Sequence, residues 1–379
     1  MSPEGPGKGR LSKMLHRLTY LENRRTLGDS GTLVTDINVR DPMTALWVEL
    51  RATNGATSNV ANLAADCLTK IEVIDGGHTV ISLNGYEAYA LAGYLNARLP
   101  SCIFDETGGN VQSIAFPIQF GRWIGDSTFA FDPTKYTMPQ VRVQWNLAAV
   151  RAVSATAFLT GSATLTLLAE LMEGGSAPVG VLNAKEFYTF TTQGSGVEYV
   201  DLPRDYNLCG FMLRAHKDGV GWYSIISNVK LNADQGKYVP IDLRGTDYLR
   251  EMMKDSNRFV YPHVYQLKDQ DTLYSVLKYD EFVELNPTDS LVIAGYTGAG
   301  VGCGPVGVTR GGSSYATRTL TRAIIEGSLP FACAWTPLGD LTDPNDWFPA
   351  PSFRSLRLEL TQGTSGATAA VVTRQAESY

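Results

Sequence analysis

Short runs in which apolar and polar residues alternate recur along the chain, and a period of two marks a strand with one buried face. Thr69-Lys70-Ile71-Glu72-Val73-Ile74 alternates most cleanly. Asp75-Gly76-Gly77 follows it, and His78 to Leu83 returns, which reads as a tight hairpin. Trp47-Val48-Glu49-Leu50-Arg51, Val141-Arg142-Val143-Gln144-Trp145 and Thr164-Leu165-Thr166-Leu167-Leu168 are further strands. One helical run stands among them, Glu87 to Arg98, rich in Ala and Leu and preceded by Asn84-Gly85. Short strands spaced by Gly, Pro and Asp turns predict an all-β sandwich or barrel rather than βαβ units. The N-terminus has another period. Leu11, Met14, Leu15, Leu18 and Leu21 form one stripe at helical spacing, which predicts an amphipathic helix over residues 9–26, ended by Gly28, Asp29 and Gly31.

The pattern repeats within the chain. Trp47-Val48-Glu49-Leu50-Arg51-Ala52 is matched by Gly210-Phe211-Met212-Leu213-Arg214-Ala215, and Ile71-Glu72-Val73 by Val229-Lys230-Leu231. A polar turn, a second short strand and a short helix follow in both copies, the helices near Glu87–Leu95 and Asp247–Lys254. Gly125-Asp126, Asp132-Pro133 and the Val141 strand then reappear as Gly339-Asp340, Asp343-Pro344 and Leu356-Arg357-Leu358-Glu359-Leu360. Each match is weak alone, and their shared order is the evidence for two tandem units. The second copy carries roughly 50 extra residues, a rough count from the growing offset between the copies. These include the glycine-rich Gly295–Ser314, expected as a surface excursion without ligand. The expected organisation is an N-terminal arm over 1–29, a first unit over 30–172, a linker over 173–180, a second unit over 181–365 and a tail over 366–379.

Composition narrows the function classes. Of 379 residues, 44% are hydrophobic, enough for a full core, and only 18% are charged, which excludes disorder and a coiled coil. No run of 18 apolar residues exists, so a transmembrane helix is not expected. A net charge of −6 argues against a coat for nucleic acid, and no direct nucleic-acid binding is expected. The charge is uneven. Lys8, Arg10, Lys13, Arg17, Arg24 and Arg25 outweigh Glu4 and Glu22 in the first 25 residues, leaving +4 there and −10 in the rest. Such an arm suits an anionic lipid surface or an acidic neighbour, with Lys13, Arg17, Arg24 and Arg25 as the contact residues. Cys67, Cys102, Cys209, Cys303 and Cys333 are odd in number and widely spaced. They read as free thiols of a protein made in a reducing cytosol, with no metal site and no cofactor.

Several strings mimic catalytic motifs. Gly28-Asp29-Ser30-Gly31 resembles a serine-protease nucleophile string, but only His16 precedes it. Gly302-Cys303-Gly304-Pro305-Val306-Gly307 fits G-x-G-x-x-G yet opens no helix and reads as loop. Asp75 and His78 share a turn and could pair. Asp132, Asp343 and Asp346 sit beside turns, where capping is expected before interfacial calcium. Asp and Glu are numerous enough that the sequence leaves a glycosidase-type carboxylate pair open.

Two tandem β-units, each with a hairpin followed by a short helix, resemble the double jelly-roll major capsid proteins of tailless icosahedral viruses with an internal membrane, the tectivirus and corticovirus type. The closing segment Trp347 to Leu360 is similar to the end of the second roll in the bacteriophage members. The resemblance covers about residues 30–365 in layout, without a diagnostic motif. It implies an all-β fold of two eight-stranded jelly rolls with short helices, here with the N-terminal amphipathic helix added. It further implies a homotrimer that tiles a pseudo-hexagonal lattice, penton and minor capsid proteins as partners, the internal lipid membrane against the arm, and residence in the virion after synthesis in the host cytoplasm. It carries no catalytic residues. Low charge and abundant Tyr and Trp suit faces that become interfaces. The rival readings are a carbohydrate-active or amidase-type enzyme on two jelly rolls, and a carbohydrate-binding or receptor-binding spike.

Overall fold

A computed structural model describes residues 14–379 except 57–58, 60–61, 106, 154–156, 218, 256–257, 268–271, 288–292, 298–303 and 311–318. The first half runs β1 (Leu15–Thr26), β2 (Ser30–Asp36), β3 (Met43–Thr53), β4 (Leu68–Asp75), β5 (His78–Leu83), α1 (Gly85–Asn96), β6 (Ser101–Ile103), β7 (Val111–Gln119), β8 (Pro139–Asn146), α2 (Leu147–Val153) and β9 (Thr164–Glu173). One sheet has the order β1-β9-β3-β7-β6, and β2-β8-β4-β5 lies opposite it. The second half runs β10 (Gly180–Gln193), β11 (Val197–Asp201), β12 (Leu208–His216), α3 (Trp222–Ile225), β13 (Ile226–Ala233), β14 (Tyr238–Arg244) and α4 (Gly245–Asp255). After a long excursion it closes with β21 (Cys333–Pro337), β22 (Leu356–Gln362) and β23 (Ser365–Ser378). Its orders are β10-β23-β12-β21 and β11-β22-β13-β14.

The two sets of orders are the same topology. Each half is an eight-stranded jelly roll, with β6 as a short addition to the first. The Trp47 and Gly210 strands are β3 and β12, the Ile71 and Val229 strands are β4 and β13, and the Val141 and Leu356 strands are β8 and β22. Each pair occupies the same position in its sheet. The repeat read from sequence is therefore a repeat of structure.

A glycine serves the same purpose in both rolls. Gly85 opens α1, and a Cβ there would lie 2.7 Å from the Ala65 carbonyl and 2.9 Å from Leu68 Cβ. Gly245 opens α4, and its Cβ would lie 2.3 Å from the Ile226 carbonyl. In each roll the helix start presses onto the helical turn that precedes the strand β4 or β13, and only glycine fits so close an approach. Asn84 caps α1 by accepting from Glu87 N–H at 3.0 Å, and Glu87 accepts from Asn84 N–H at 3.1 Å.

The rolls are fused through their sheets. β5 pairs in parallel with β10, Ala184 opposite Ile81 and Lys185 opposite Ser82, which joins β2-β8-β4-β5 and β10-β23-β12-β21 into one eight-stranded sheet. Alternation along β23 then serves two cores. Val371 packs in the core of the second roll and Val372 in that of the first. The excursion comprises β15 (Phe259–Leu267), β16 (Thr272–Ser275), β17 (Tyr279–Pro287), β18 (Ile293–Thr297), β19 (Gly304–Arg310) and β20 (Thr319–Ser328), in sheets β15-β20-β17 and β16-β19-β18. Its base leans on the first roll. Phe331 lies 4.8 Å from the Tyr86 ring and 5.1 Å from that of Tyr89, and Phe259 lies 5.5 Å from that of Tyr94.

Three sequence expectations are corrected here. The N-terminal segment from Leu15 is strand β1, not a helix, and residues 9–13 lie outside the described residues. It pairs with β9 from Leu15↔Glu173 to Thr26↔Thr164, with register shifts near Tyr20, Glu22 and Arg25. Those irregularities let a three-to-four spacing occupy a strand. The stripe is not a core face either, because Leu15 and Leu18 are exposed. The open ladder of β9 overrides local helical preference. The expected tail is β23, paired with β10 on one side and β12 on the other. Its Thr, Arg and Gln residues hid a buried strand from pattern reading. Within Gly295–Ser314, β18 and β19 pair antiparallel rather than forming loop, and 298–303 and 311–318 lie outside the described residues.

Candidate assembly surfaces and the seam between the rolls

The exposed face of the two fused rolls is the candidate functional surface, and the seam joins the rolls through one sheet. Glu186 on β10 accepts from Lys70 Nζ of β4 at 3.0 Å and from Asn84 Nδ2 at 3.2 Å. His78 Nε2 lies 2.7 Å from Glu377 on β23. Asp75 and His78, which could pair on sequence grounds, are register partners at the end of the β4–β5 hairpin, but their side chains go to different partners. Asp75 instead accepts from the backbone of Thr137 and Met138, because the hairpin turns its carboxylate onto that loop. Tyr379 donates to the Ala130 carbonyl at 2.6 Å and accepts from Asp132 N–H at 2.8 Å. Arg122, ion-paired to buried Asp126 at 2.7 Å, reaches across to the Thr342 carbonyl at 2.7 Å. Burial opposes ionisation of Asp126, yet the Arg122 guanidinium and the backbone N–H of Arg122 and Thr128 hold its carboxyl below the usual range.

The basic residues expected to touch lipid divide. Lys13 lies outside the described residues. Arg17 is bound to Glu173 and lies 3.0 Å from Asp41, so its charge is locally neutralised. Arg24 and Arg25 are exposed near the end of β1, Arg24 in the left-handed region with φ 49°. β1 also exposes Leu15, Leu18 and Tyr20. On the second roll, Phe187, Tyr188, Val197 and Tyr199 are exposed along β10 and β11, and Tyr238 and Val239 along β14.

A cavity of about 570 Å³ lies between the first roll and the excursion, lined by Trp47, Tyr89, Leu99, Phe104, Val260 and Tyr274 among others. Among the described residues Arg98 is its one charged lining residue, and no Asp or Glu lines it. A pair of carboxylates does exist, Glu87 and Glu186, but Glu87 is fully buried against the seam and faces no groove. A glycosidase needs both carboxylates beside the scissile bond. Among the described residues no cluster of His, Cys, Asp or Glu is disposed to hold a metal ion. Asp132, Asp343 and Asp346 each accept from turn backbone N–H groups.

Sequence reading missed the seam, since it joins residues as distant as Lys70 and Glu186. Only the Asn84-x-x-Glu87 capping box carried a local signal.

No protein-family model matches the sequence, and no curated protein is similar to it in sequence. Solved structures are similar in fold along the whole chain. The major capsid protein P2 of bacteriophage PM2 superposes with a TM-score of 0.53 at 10% identity, covering 96% of this chain and 98% of its own. The PBCV-1 virus capsid gives 0.58 at 9% identity, with 98% and 95% covered. The major capsid protein of STIV gives 0.57 at 9% identity, with 95% and 96% covered. The chain thus has the double jelly-roll fold of these capsid proteins.

Proposed function

We propose that this chain is a major capsid protein, a structural component that assembles with copies of itself into the shell of an icosahedral virus. The observation that carries the reading is the end-to-end likeness to capsid proteins in both directions, two rolls and their fusion included. The shape supports it. Two like rolls locked side by side make a chain of which three copies present six like elements, the geometry of a pseudo-hexagonal tile. The exposed aromatics of β10, β11 and β14 suit lateral contacts between such tiles. Penton and minor capsid proteins complete the partner set, and the protein resides in the virion after synthesis in the host cytoplasm. The basic start of the chain faces the interior. There Arg24 and Arg25, rather than the ion-paired Arg17, meet an anionic lipid surface or an acidic neighbour. The test is native mass spectrometry of the purified protein. A species at three times the 41.2 kDa chain supports the reading. A monomer at all concentrations contradicts it.

A further inference from the structure

Glu87 and Glu186 come from different rolls and meet where the rolls join. Glu87 is in the first turn of α1, and Glu186 is on β10, two residues beyond the parallel pairing of Ala184 with Ile81. Glu87 is fully buried, and its Oε1 has no hydrogen-bond partner among the described residues. Its Oε2 accepts from Asn84 N–H, and the same Asn84 donates through Nδ2 to Glu186 Oε2, which sets the two carboxyls side by side. Two neighbouring carboxyls in so buried a site do not both ionise, so one of them keeps its proton.

The surrounding groups decide which one. Glu186 faces Lys70 Nζ of β4 at 3.0 Å, Asn84 Nδ2 at 3.2 Å and the charge of Arg214 from β12. Those contacts keep Glu186 ionised, and Glu87 is left as the acid. Arg214 itself stacks over the Tyr86 ring at 4.6 Å, and Tyr86 hydrogen-bonds Asp66. Burial first, and the Glu186 charge second, raise the Glu87 carboxyl from 4.5 to about 8. The folded chain therefore holds a proton that the unfolded chain has released. The stabilisation is full below about pH 4.5 and is lost as the pH rises through about 8.

We propose that the Glu87–Glu186 carboxyl pair is a proton-operated latch between the two jelly rolls. With the proton in place it bonds α1 of the first roll to β10 of the second. With the proton gone, two carboxylates face each other in a buried site where Glu87 Oε1 has no donor, and relief comes from opening the seam to water. This inference rests on the seam alone and holds whether or not the chain builds a shell.

The test is hydrogen exchange on the full chain, read as protection factors normalised for intrinsic rates at each pH. Protection of the amides joining β5 and β10 should fall at least about tenfold between pH 7 and 9, since one pH unit of linkage is tenfold in an equilibrium constant. Amides of the β3–β9 ladder should keep theirs. Glu87→Gln, which donates to Glu186 at every pH, should abolish the fall at the seam. If Glu87→Gln does not fold, Glu186→Gln, which removes the like charge, serves in its place and should also flatten the profile. An unchanged seam in the wild type, an equal fall in the β3–β9 ladder, or an undiminished fall in the folded variant would each overturn the latch.

Discussion

Arg374 offers the sharpest energetic test of the fused-roll architecture. It lies on β23 with the same facing as Val372, so its side chain runs toward the first roll. It is 0% exposed. Its Nη2 donates to the Gly121 carbonyl at 2.6 Å and, more weakly, to that of Gln119 at 3.5 Å, while Nε and Nη1 have no partner among the described residues. The neighbouring Cys209 thiol, pushed up to about 12 by burial, is neutral and supplies no counter-charge. Desolvation lowers the guanidinium to about 10. That cost is present at every pH below about 10 and is relieved only as the pH rises above it. At 1.36 kcal/mol for each pH unit, keeping the group charged in the fold costs about 3 kcal/mol. Arg374→Met retains most of the volume and removes the charge. It gives up the charge-assisted hydrogen bond to Gly121 and the long contact to Gln119, together worth about 1.5–3 kcal/mol. The balance is a variant more stable by about 1 kcal/mol, or a Tm higher by roughly 2–4 °C for rolls of this size. Arg374→Ala, which leaves a cavity, should instead lose about 2 kcal/mol or more. Urea unfolding at pH 7 measures both. If Arg374→Met lost more than about 2 kcal/mol, the guanidinium would have a compensating partner and the reasoning would fail.

Other expectations follow from particular contacts. Gly85→Ala should destabilise the first roll by about 2 kcal/mol or more, because its Cβ meets backbone at 2.7 Å, and thermal unfolding reads this directly. Tyr248→Phe removes a fully buried hydroxyl bonded to Thr336 and should cost about 1 kcal/mol by the same assay. Cys67 and Cys209, buried and with thiols raised by desolvation, should resist iodoacetamide at pH 8 until urea unfolds the chain, as peptide mass spectrometry would show. Deleting residues 15–26 strips β1 from the β9 ladder and should give aggregated protein on size exclusion, whereas a peripheral helix would have been dispensable.

Much of this architecture was legible because jelly-roll strands obey a short period. The β4–β5 hairpin, with its alternation and Asp-Gly turn, could be read directly, and the order of matches placed β3, β4 and β8 opposite β12, β13 and β22. What failed had local patterns that tertiary structure overruled. β1 carries a helical stripe, yet it completes an open ladder. β23 looks like a polar tail because Thr373, Arg374 and Gln375 are buried, Arg374 bonding the Gly121 carbonyl of the first roll and Gln375 the Tyr206 carbonyl of its own. The seam was illegible for a further reason. Glu186 means nothing alone, and its meeting with Glu87 and Lys70 is created by the β5–β10 pairing. Arg17 shows the same limit, since its charge looked free until β1 set it beside Glu173 and Asp41.

Electron microscopy of the purified full-length protein under assembly conditions tests the central claim most directly. A structural capsid protein should give closed shells or flat arrays whose repeating tile is a trimer of pseudo-hexagonal outline, into which three copies of the fused two-roll unit dock without clash. Uniform single chains that form no lattice at any concentration, salt or lipid content would contradict the account.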